Sequence, residues 1–323
     1  ALATYHKVAE DDAARPDDET ITSILGTVKY LDVDEEAERA LAEADQGTLV
    51  VKKICYYHNI PAEMLRPDIE PITIEKFAER NFKSHVLGVR REPIQSPFLP
   101  KEDDAAFDGA VELFRLVLRF TNDFSLKDAP LQRLGAVIVQ QVIDKPSLRD
   151  ELLMQLCNQC YRNRQRASAH RASTLLLSAV YAFPPSLLML PMLLHFFAAQ
   201  PRPLSEFLLE SLLRRLRTPD AQAVRHFAPN RLEHAAFAAL AAPVVSVGVP
   251  GDADSSILIE AHPWCTAEEL AQRVLRQRGI GEPEGWTIAV ETAADVFCPT
   301  GSHFIHDVLA AIDGARKKDE EEA

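Results

Sequence analysis

Glycine is scarce, at 12 of 323 residues, against an ordinary usage of about 7%. The shortage argues against glycine-rich loops that let backbone amides close on phosphates or dinucleotides. No G-x-S-x-G, H-E-x-x-H, Walker A or kinase signature occurs, and no spacing of Ser, His and Asp picks out a triad. The expected class is non-enzymatic, with no cofactor and no metal. Cysteine numbers five, an odd count in a long chain, which speaks against a disulfide scaffold and for a reducing, cytoplasmic setting. Charge is missing from one stretch: no Asp, Glu, Lys or Arg separates Arg171 from Arg202, a run long enough to span a bilayer. Pro184, Pro185 and Pro191 interrupt it, His195 sits inside it and basic residues flank it, so two buried helices joined at Pro184-Pro185 are expected rather than a transmembrane span. Ala1–Tyr5 opens no apolar stretch behind a basic start, so no signal peptide is read. An opening Ala in place of Met suggests a fragment of a longer protein.

What the chain does contain is 47% hydrophobic and 26% charged residues, enough for roughly two domains with cores of their own. The net charge of −13 is unevenly spread. Residues 1–50 carry 13 acids and 4 bases, a balance of −9, and residues 51–144 balance at −1. Residues 145–240 carry 6 acids and 12 bases, a balance of +6, before a final −9 over residues 241–323. The average field therefore disfavours nucleic acid, while the middle of the chain suits an acidic partner.

Residues 1–70 read as an acidic segment, disordered in part, with a helix-like run at Asp32–Asp45 and a strand or short helix at Leu49–Tyr57. Helical periodicity then takes over. Ile74, Phe77, Ala78 and Phe82 share one face, and Pro93 to Pro97 break the pattern as an extended linker. Ala110, Leu113, Phe114, Val117 and Leu118 mark a second helix, and Leu131, Leu134, Val137, Ile138 and Val142 a third. The helix after Pro146 has Ser147 as its expected cap, with Asp150 returning the bond, and Leu148, Leu152, Leu153, Leu156 and Cys157 facing the core. Beyond Pro243, Val244–Val249, Ile257–Ala261 and Trp286–Glu291 read as strands, Thr266 and Glu269 form a capping box, and Ile305 to Ile312 a last helix. The fold expected is mainly α: a helical bundle followed by a small α+β ubiquitin-like lobe.

The segment Pro146 to Gln159 resembles the central helix of a MyTH4 domain, the tail-homology module of unconventional myosins and some kinesins. Arg171, Leu175 to Leu177 and Pro184-Pro185-Ser186 follow in that family's order. Phe77 to Phe82, Pro93 to Leu99 and Phe114 to Asp123 resemble its opening helices, and Arg225, Pro229, Glu233 and Ala236 its closing one. The stretch after Val244 is similar to F1, the first lobe of a FERM domain. The resemblance divides the chain into residues 1–70, a MyTH4 domain over 71–242, an incomplete FERM with F1 over 243–313, and a charged tail over 314–323. Where the family usually carries Arg-Gly-Trp, this chain has Arg171-Ala172-Ser173, and the remaining FERM lobes are not in it.

Arg162, Arg164 and Arg166, with Arg171 nearby, and Arg214, Arg215 and Arg217 form the candidate basic face. Guanidinium groups suit carboxylate clusters, and the resemblance implies tubulin's acidic tails as a target. The plainer reading is that bases collect at helix C-termini, where the dipole favours them. Cys157 and Cys160 have redox spacing, but on a packed helix face; His303 and His306 lack a nearby third ligand. Leu187, Leu188, Leu190, Leu193 and Leu194 read as core, and Pro184-Pro185-Ser186 as a helix start with Ser186 near the cap. The function that the resemblance implies is a non-catalytic, cytoskeleton-associated tail module of a MyTH4-FERM motor protein, an unconventional myosin in family terms, that docks cytoskeletal or cargo proteins. Two rivals stand beside it. One is an autoinhibitory or structural role in which residues 1–50 cover the basic middle as an intramolecular partner. The other is a regulatory module of a larger enzyme such as a kinesin motor or a GTPase-activating protein.

Overall fold

The computed structural model describes residues 72–82, 85–201, 203–217, 224–249, 252–280, 286–291 and 296–322. The acidic segment, with its expected elements at Asp32–Asp45 and Leu49–Tyr57, lies outside these residues. Among the described residues eight α-helices come first: α1 (Ile74–Asn81), α2 (Asp104–Asn122), α3 (Asp128–Asp144), α4 (Arg149–Cys160), α5 (Arg166–Ala182), α6 (Leu190–Ala198), α7 (Leu204–Arg217) and α8 (Arg231–Ala238). A smaller lobe follows, made of β1 (Val244–Val249), β2 (Asp252–Glu260), α9 (Ala267–Gln277), β3 (Val290–Glu291), β4 (Val296–Phe297) and α10 (Ile305–Glu322).

Helix α5 is the hub of the bundle, in contact with α2, α3, α4, α7 and α8. The charge-free run that starts at Ala172 makes this possible. Ala172, Leu175, Leu176, Leu177, Ala179 and Val180 are buried, and the hydroxyls of Thr174 and Ser178 donate to the carbonyls of His170 and Thr174 at 3.0 Å, four residues back in each case. The expected helix pair is present, α5 and α6 on either side of Pro184-Pro185. Among the described residues no helix is long and apolar enough to cross a membrane.

Helix α4 is buried from Glu151 to Gln159, polar residues included. Its polar side chains grip an extended strap, residues 85–99, that runs across it. Asn158 accepts from Gly88 N at 2.8 Å and donates to Gly88 O at 2.7 Å, and Gln159 does the same for Arg90 at 2.8 and 2.9 Å. Glu151 takes the amides of Phe98 and Leu99 at 2.9 and 3.0 Å, and Lys101 lies 3.4 Å from its carboxylate. Gly88 sits at φ +149°, a value that side-chain-bearing residues rarely adopt.

Several local expectations are corrected. Ser147 does not cap: Pro146–Leu148 is a 3₁₀ turn, α4 starts at Arg149, and Asp150 instead accepts from Ser186 N at 3.0 Å. Ser186 is no helix cap either; its carbonyl closes a turn through Met189 N at 3.1 Å, and α6 begins at Leu190. That turn turns Leu187 and Leu188 outward, 64% and 57% exposed, while Leu190, Leu193 and Leu194 are core. Val137 is 56% exposed because the buried stripe of α3 runs through Gly135, Ile138, Val139, Val142 and Ile143. The strand read at Trp286–Glu291 is reduced to Val290–Glu291, and the last helix continues past Ile312 to Glu322.

In the lobe, β1 and β2 pair antiparallel with an irregularity between Val247 and Val249, and β3 pairs antiparallel with β4. The capping box at the start of α9 forms as expected, with both Thr266–Glu269 bonds at 3.2 Å. A core of Ile259, Ala261, Cys265, Leu270, Val274 and Ile305 holds the lobe, while Trp264 belongs to the bundle's core. An ionic junction joins the two parts. Fully buried Arg225 ion-pairs with Glu233 of α8 and donates from Nε to Asp307 of α10 at 2.8 Å. Burial alone would pull the guanidinium's pKa down, but the two carboxylates outweigh it and raise it. Beside it, His306 contacts Asn230 through Nδ1 at 3.1 Å and the Ala261 carbonyl through Nε2 at 2.8 Å. His306 is thus held as a core residue, with burial depressing its pKa.

His234 of α8 packs edge-on against Phe120, ring centroids 6.1 Å apart. Burial pushes its pKa from 6.5 down to about 4. On acidification the unfolded chain takes up this proton first, so stability present above the unfolded value is lost as the pH falls through the folded one. His234 is therefore expected to withdraw about 3 kcal/mol between pH 6.5 and pH 4 and nothing further below. Urea midpoints at several pH values check this: the difference between wild type and His234→Phe should change across that window and be flat above it.

Candidate functional site

The loop between α4 and α5 is built by its odd-numbered residues. Tyr161 leaves the helix and donates its hydroxyl to Glu75 of α1 at 2.7 Å. Asn163 donates to Gln159 O at 2.9 Å and accepts from Gln165 N at 2.9 Å; its amide also lies 3.3 Å from Ser168, which bonds Asn122 of α2 at 3.1 Å. The even-numbered residues, Arg162, Arg164 and Arg166, are left exposed. Arg162 lies over the Tyr161 ring at 4.9 Å and 3.6 Å from the Glu75 carboxylate, yet its side chain is 78% exposed. The Tyr161 hydroxyl holds the Glu75 carboxyl below its usual range, with Arg162 a lesser contributor. Among the described residues no acidic side chain pairs with Arg164 or Arg166.

Two features of this loop are costly for the fold. Arg162 adopts φ +49° just past the end of α4, a left-handed position where glycine is favoured and other residues cost about 1 kcal/mol. Arg166 is the first residue of α5, where the helix dipole disfavours a cation. The dipole reading of these bases accounts for Arg162 and Arg164, which follow a helix C-terminus, but not for Arg166.

Arg171 is placed differently. Its guanidinium donates to the carbonyls of Phe120 at 3.1 Å, Asp123 at 2.7 Å and Leu126 at 2.6 Å, and lies 4.8 Å from the centre of the Phe124 ring. It closes the end of α2, and burial lowers its pKa. The structure thus brings Arg162, Arg164 and Arg166 together in one loop and turns Arg171 into the fold. Arg214, Arg215 and Arg217 end α7; their side chains lie outside the described residues. The loss of the family's glycine and tryptophan does not interrupt α5, which runs unbroken from Arg166 to Ala182. Cys157 is buried and Cys160 half-buried; desolvation raises the Cys157 thiol and pushes the Cys160 thiol up to about 12, so neither is a thiolate near neutral pH. The polar grip of α4 on the strap had no signal in the sequence beyond four polar residues interrupting an apolar helix.

The fold is an α-helical bundle joined through a buried ionic seam to a small α+β lobe, with a solvent-facing arginine loop. The profile of the MyTH4 domain matches residues 136–236. Over 261 residues the chain is 31% identical to human unconventional myosin-XV, covering 78% of this chain and 7% of that protein. It is 30% identical over 190 residues to mouse unconventional myosin-VIIb, covering 58% of this chain and 9% of that one. Among solved structures, the human Myosin 7b C-terminal MyTH4-FERM domain in complex with the harmonin-a PDZ3 domain superposes with a TM-score of 0.68 at 23% identity, covering 77% of this chain and 52% of that one. The Dictyostelium discoideum Myosin VII MyTH4-FERM MF1 domain gives 0.68 at 19% identity, covering 79% and 55%. The chain carries a MyTH4 domain and is homologous to the MyTH4-FERM tails of unconventional myosins. It spans under a tenth of the length of these two myosins and about half of the solved chains.

Replacing Arg171 with Met should cost about 2 kcal/mol of stability, because carbonyls of Phe120, Asp123 and Leu126 lose their donors. Urea unfolding measures the loss. Binding of an acidic peptide at a temperature where the variant is folded should be unchanged.

Proposed function

We infer that the chain is the non-catalytic tail module of a MyTH4-FERM motor protein, an unconventional myosin by its homology, and that it docks acidic cytoskeletal partners such as tubulin tails. The MyTH4 domain would span residues 71–242 and the F1 lobe 243–313. The observation that carries the reading is the Arg162, Arg164 and Arg166 loop. Tyr161 pins it to α1 and Asn163 to α5, three guanidiniums face solvent, and two of them sit where the backbone and the dipole disfavour them. Costs of this kind collect at functional positions. A preordered loop also loses less entropy on meeting a flexible acidic tail than a mobile one would. The seven-residue candidate face narrows here to these three, with Arg214, Arg215 and Arg217 as possible extensions and Arg171 as a structural residue. The human Myosin 7b neighbour is seen with a harmonin PDZ domain, so binding of a protein cargo is a companion expectation for the wider tail.

Charge favours a second reading of the same loop: residues 1–50, at −9, would cover it in cis. Deleting them should then raise affinity for an acidic partner, and unchanged affinity would count against masking.

Microtubule co-sedimentation across a salt series tests the main reading. Pelleting should be strongest at low salt, weaken as the Debye length falls below about 10 Å near 0.1 M, and drop at least several-fold in the triple Arg162→Ala, Arg164→Ala, Arg166→Ala variant. No pelleting at low salt, or equal pelleting of the variant, rules it out. Arg162→Gly separates function from folding. It relieves the left-handed strain while giving up an exposed ion pair, so stability should hold or rise by up to about 1 kcal/mol while affinity falls.

A further inference from the structure

The strap that α4 grips encloses an open cleft of about 620 Å³, lined by His85 and by Val89 to Ser96. Its contents are polar: the imidazole of His85, the side chains of Arg90 and Arg91, Gln95 and the Ser96 hydroxyl, with Glu92 the one acid among them. His85 Nε2 lies 2.7 Å from the Ser96 carbonyl and 3.1 Å from Ser96 Oγ, closing the ends of the strap on each other. Ser96 is followed by Pro97 and preceded at three residues by Pro93. Both prolines fix φ, and each biases the residue before it towards extended backbone, which is the shape in which a kinase active site takes its substrate.

We propose that Ser96 is a phosphorylation site for a proline-directed protein kinase and that the strap cleft is the seat of the resulting phosphate. The Ser96 hydroxyl attacks the γ-phosphorus of ATP on the kinase. The bond from that phosphorus to the β–γ bridging oxygen breaks, ADP departs with the electron pair, and the hydroxyl proton passes to the kinase's base. The product adds about −1.5 to −2 of charge at neutral pH beside the His85 imidazole, in a cleft that Arg90 and Arg91 also line. The clasps from α4 grip residues 88, 90, 98 and 99, on either side of Ser96. Ile94 and Phe98 are buried, so the kinase takes the strap when its middle lifts between these clasps, a local opening that leaves the bundle intact. On reclosing, the phosphate meets the His85 imidazole on a strap that carries Arg90 and Arg91, and braces it.

The test treats the folded full chain with a proline-directed serine/threonine kinase and ATP, and locates phosphate by mass spectrometry. Incorporation at Ser96 is expected, absent in Ser96→Ala and reduced at least tenfold in Pro97→Ala. Thr218-Pro219 is the other Ser/Thr-Pro pair in the sequence, and peptide-level localisation separates the two. The second readout is the ³¹P titration of the modified chain against a phosphopeptide of residues 92–101. A cradled phosphate should titrate at least half a unit below the peptide's value of about 6, with the difference reduced in the exposed Arg91→Ala variant and the melting temperature raised. Phosphorylation confined to unfolded chain, no incorporation at Ser96 in chain or peptide, or a phosphate that titrates as in the free peptide with a lowered melting temperature would overturn the proposal.

Discussion

A helix with no solvent face has to satisfy every polar side chain it carries, and α4 carries four of them inside the bundle: Glu151, Gln155, Asn158 and Gln159. An unpaired buried amide or carboxylate would cost several kcal/mol. For Glu151, Asn158 and Gln159 the cost is avoided because a stretch of chain without regular structure supplies the missing partners, while Gln155 donates to Ala110 O of α2 and to Glu151. Asn158 and Gln159 each take both the N–H and the C=O of one strap residue, and Glu151 takes two consecutive amides. The strap needs the helix as much as the helix needs the strap, since otherwise its own backbone groups would be buried without partners. This mutual satisfaction fixes α4 in rotation and along its axis. It thereby fixes the point at which Tyr161 leaves the helix and the arginine loop begins.

The second constraint is the junction around Arg225. A guanidinium with no solvent exposure persists only because Glu233 and Asp307 meet it from two different elements. Replacing one partner of such a group strands a charge, which is worth far more than the pair's net contribution to stability. The requirement is geometric: α10 of the lobe must stand where Asp307 reaches Arg225, and Trp264 must seat in the bundle's core. The lobe is thus tied to the bundle by specificity as well as by buried area.

Much of this was legible in the residues. The apolar periodicity of α1 and α2, the proline-divided pair α5 and α6, and the Thr266–Glu269 capping box all appear where the pattern puts them. What failed was local and has a common cause. Ser147 and Ser186 each sit next to a proline in a cap-like context, but tertiary bonds won: Asp150 reaches across to Ser186 N instead of back to Ser147. Leu187 and Leu188 look like core in a one-dimensional apolar run, yet the turn at Ser186–Met189 faces them outward. The candidate site was legible as composition and not as geometry. The seven candidate arginines carry no mark in the sequence that separates Arg171, bound to three carbonyls, from Arg164 and Arg166, which face water. That distinction depends on where the end of α2 lies relative to α5, a relation between residues some fifty apart in sequence.

The central claim is that a rigid scaffold presents Arg162, Arg164 and Arg166, and not Arg171, to an acidic partner. Its most direct test is a titration of the chain with a glutamate-rich tubulin-tail peptide, followed through the side-chain Nε–H resonances of its arginines at low salt. The account predicts saturable shifts at Arg162, Arg164 and Arg166 that reverse on adding salt, with the Arg171 resonance unmoved. Shifts centred on Arg171, or none at the three loop arginines, would contradict it.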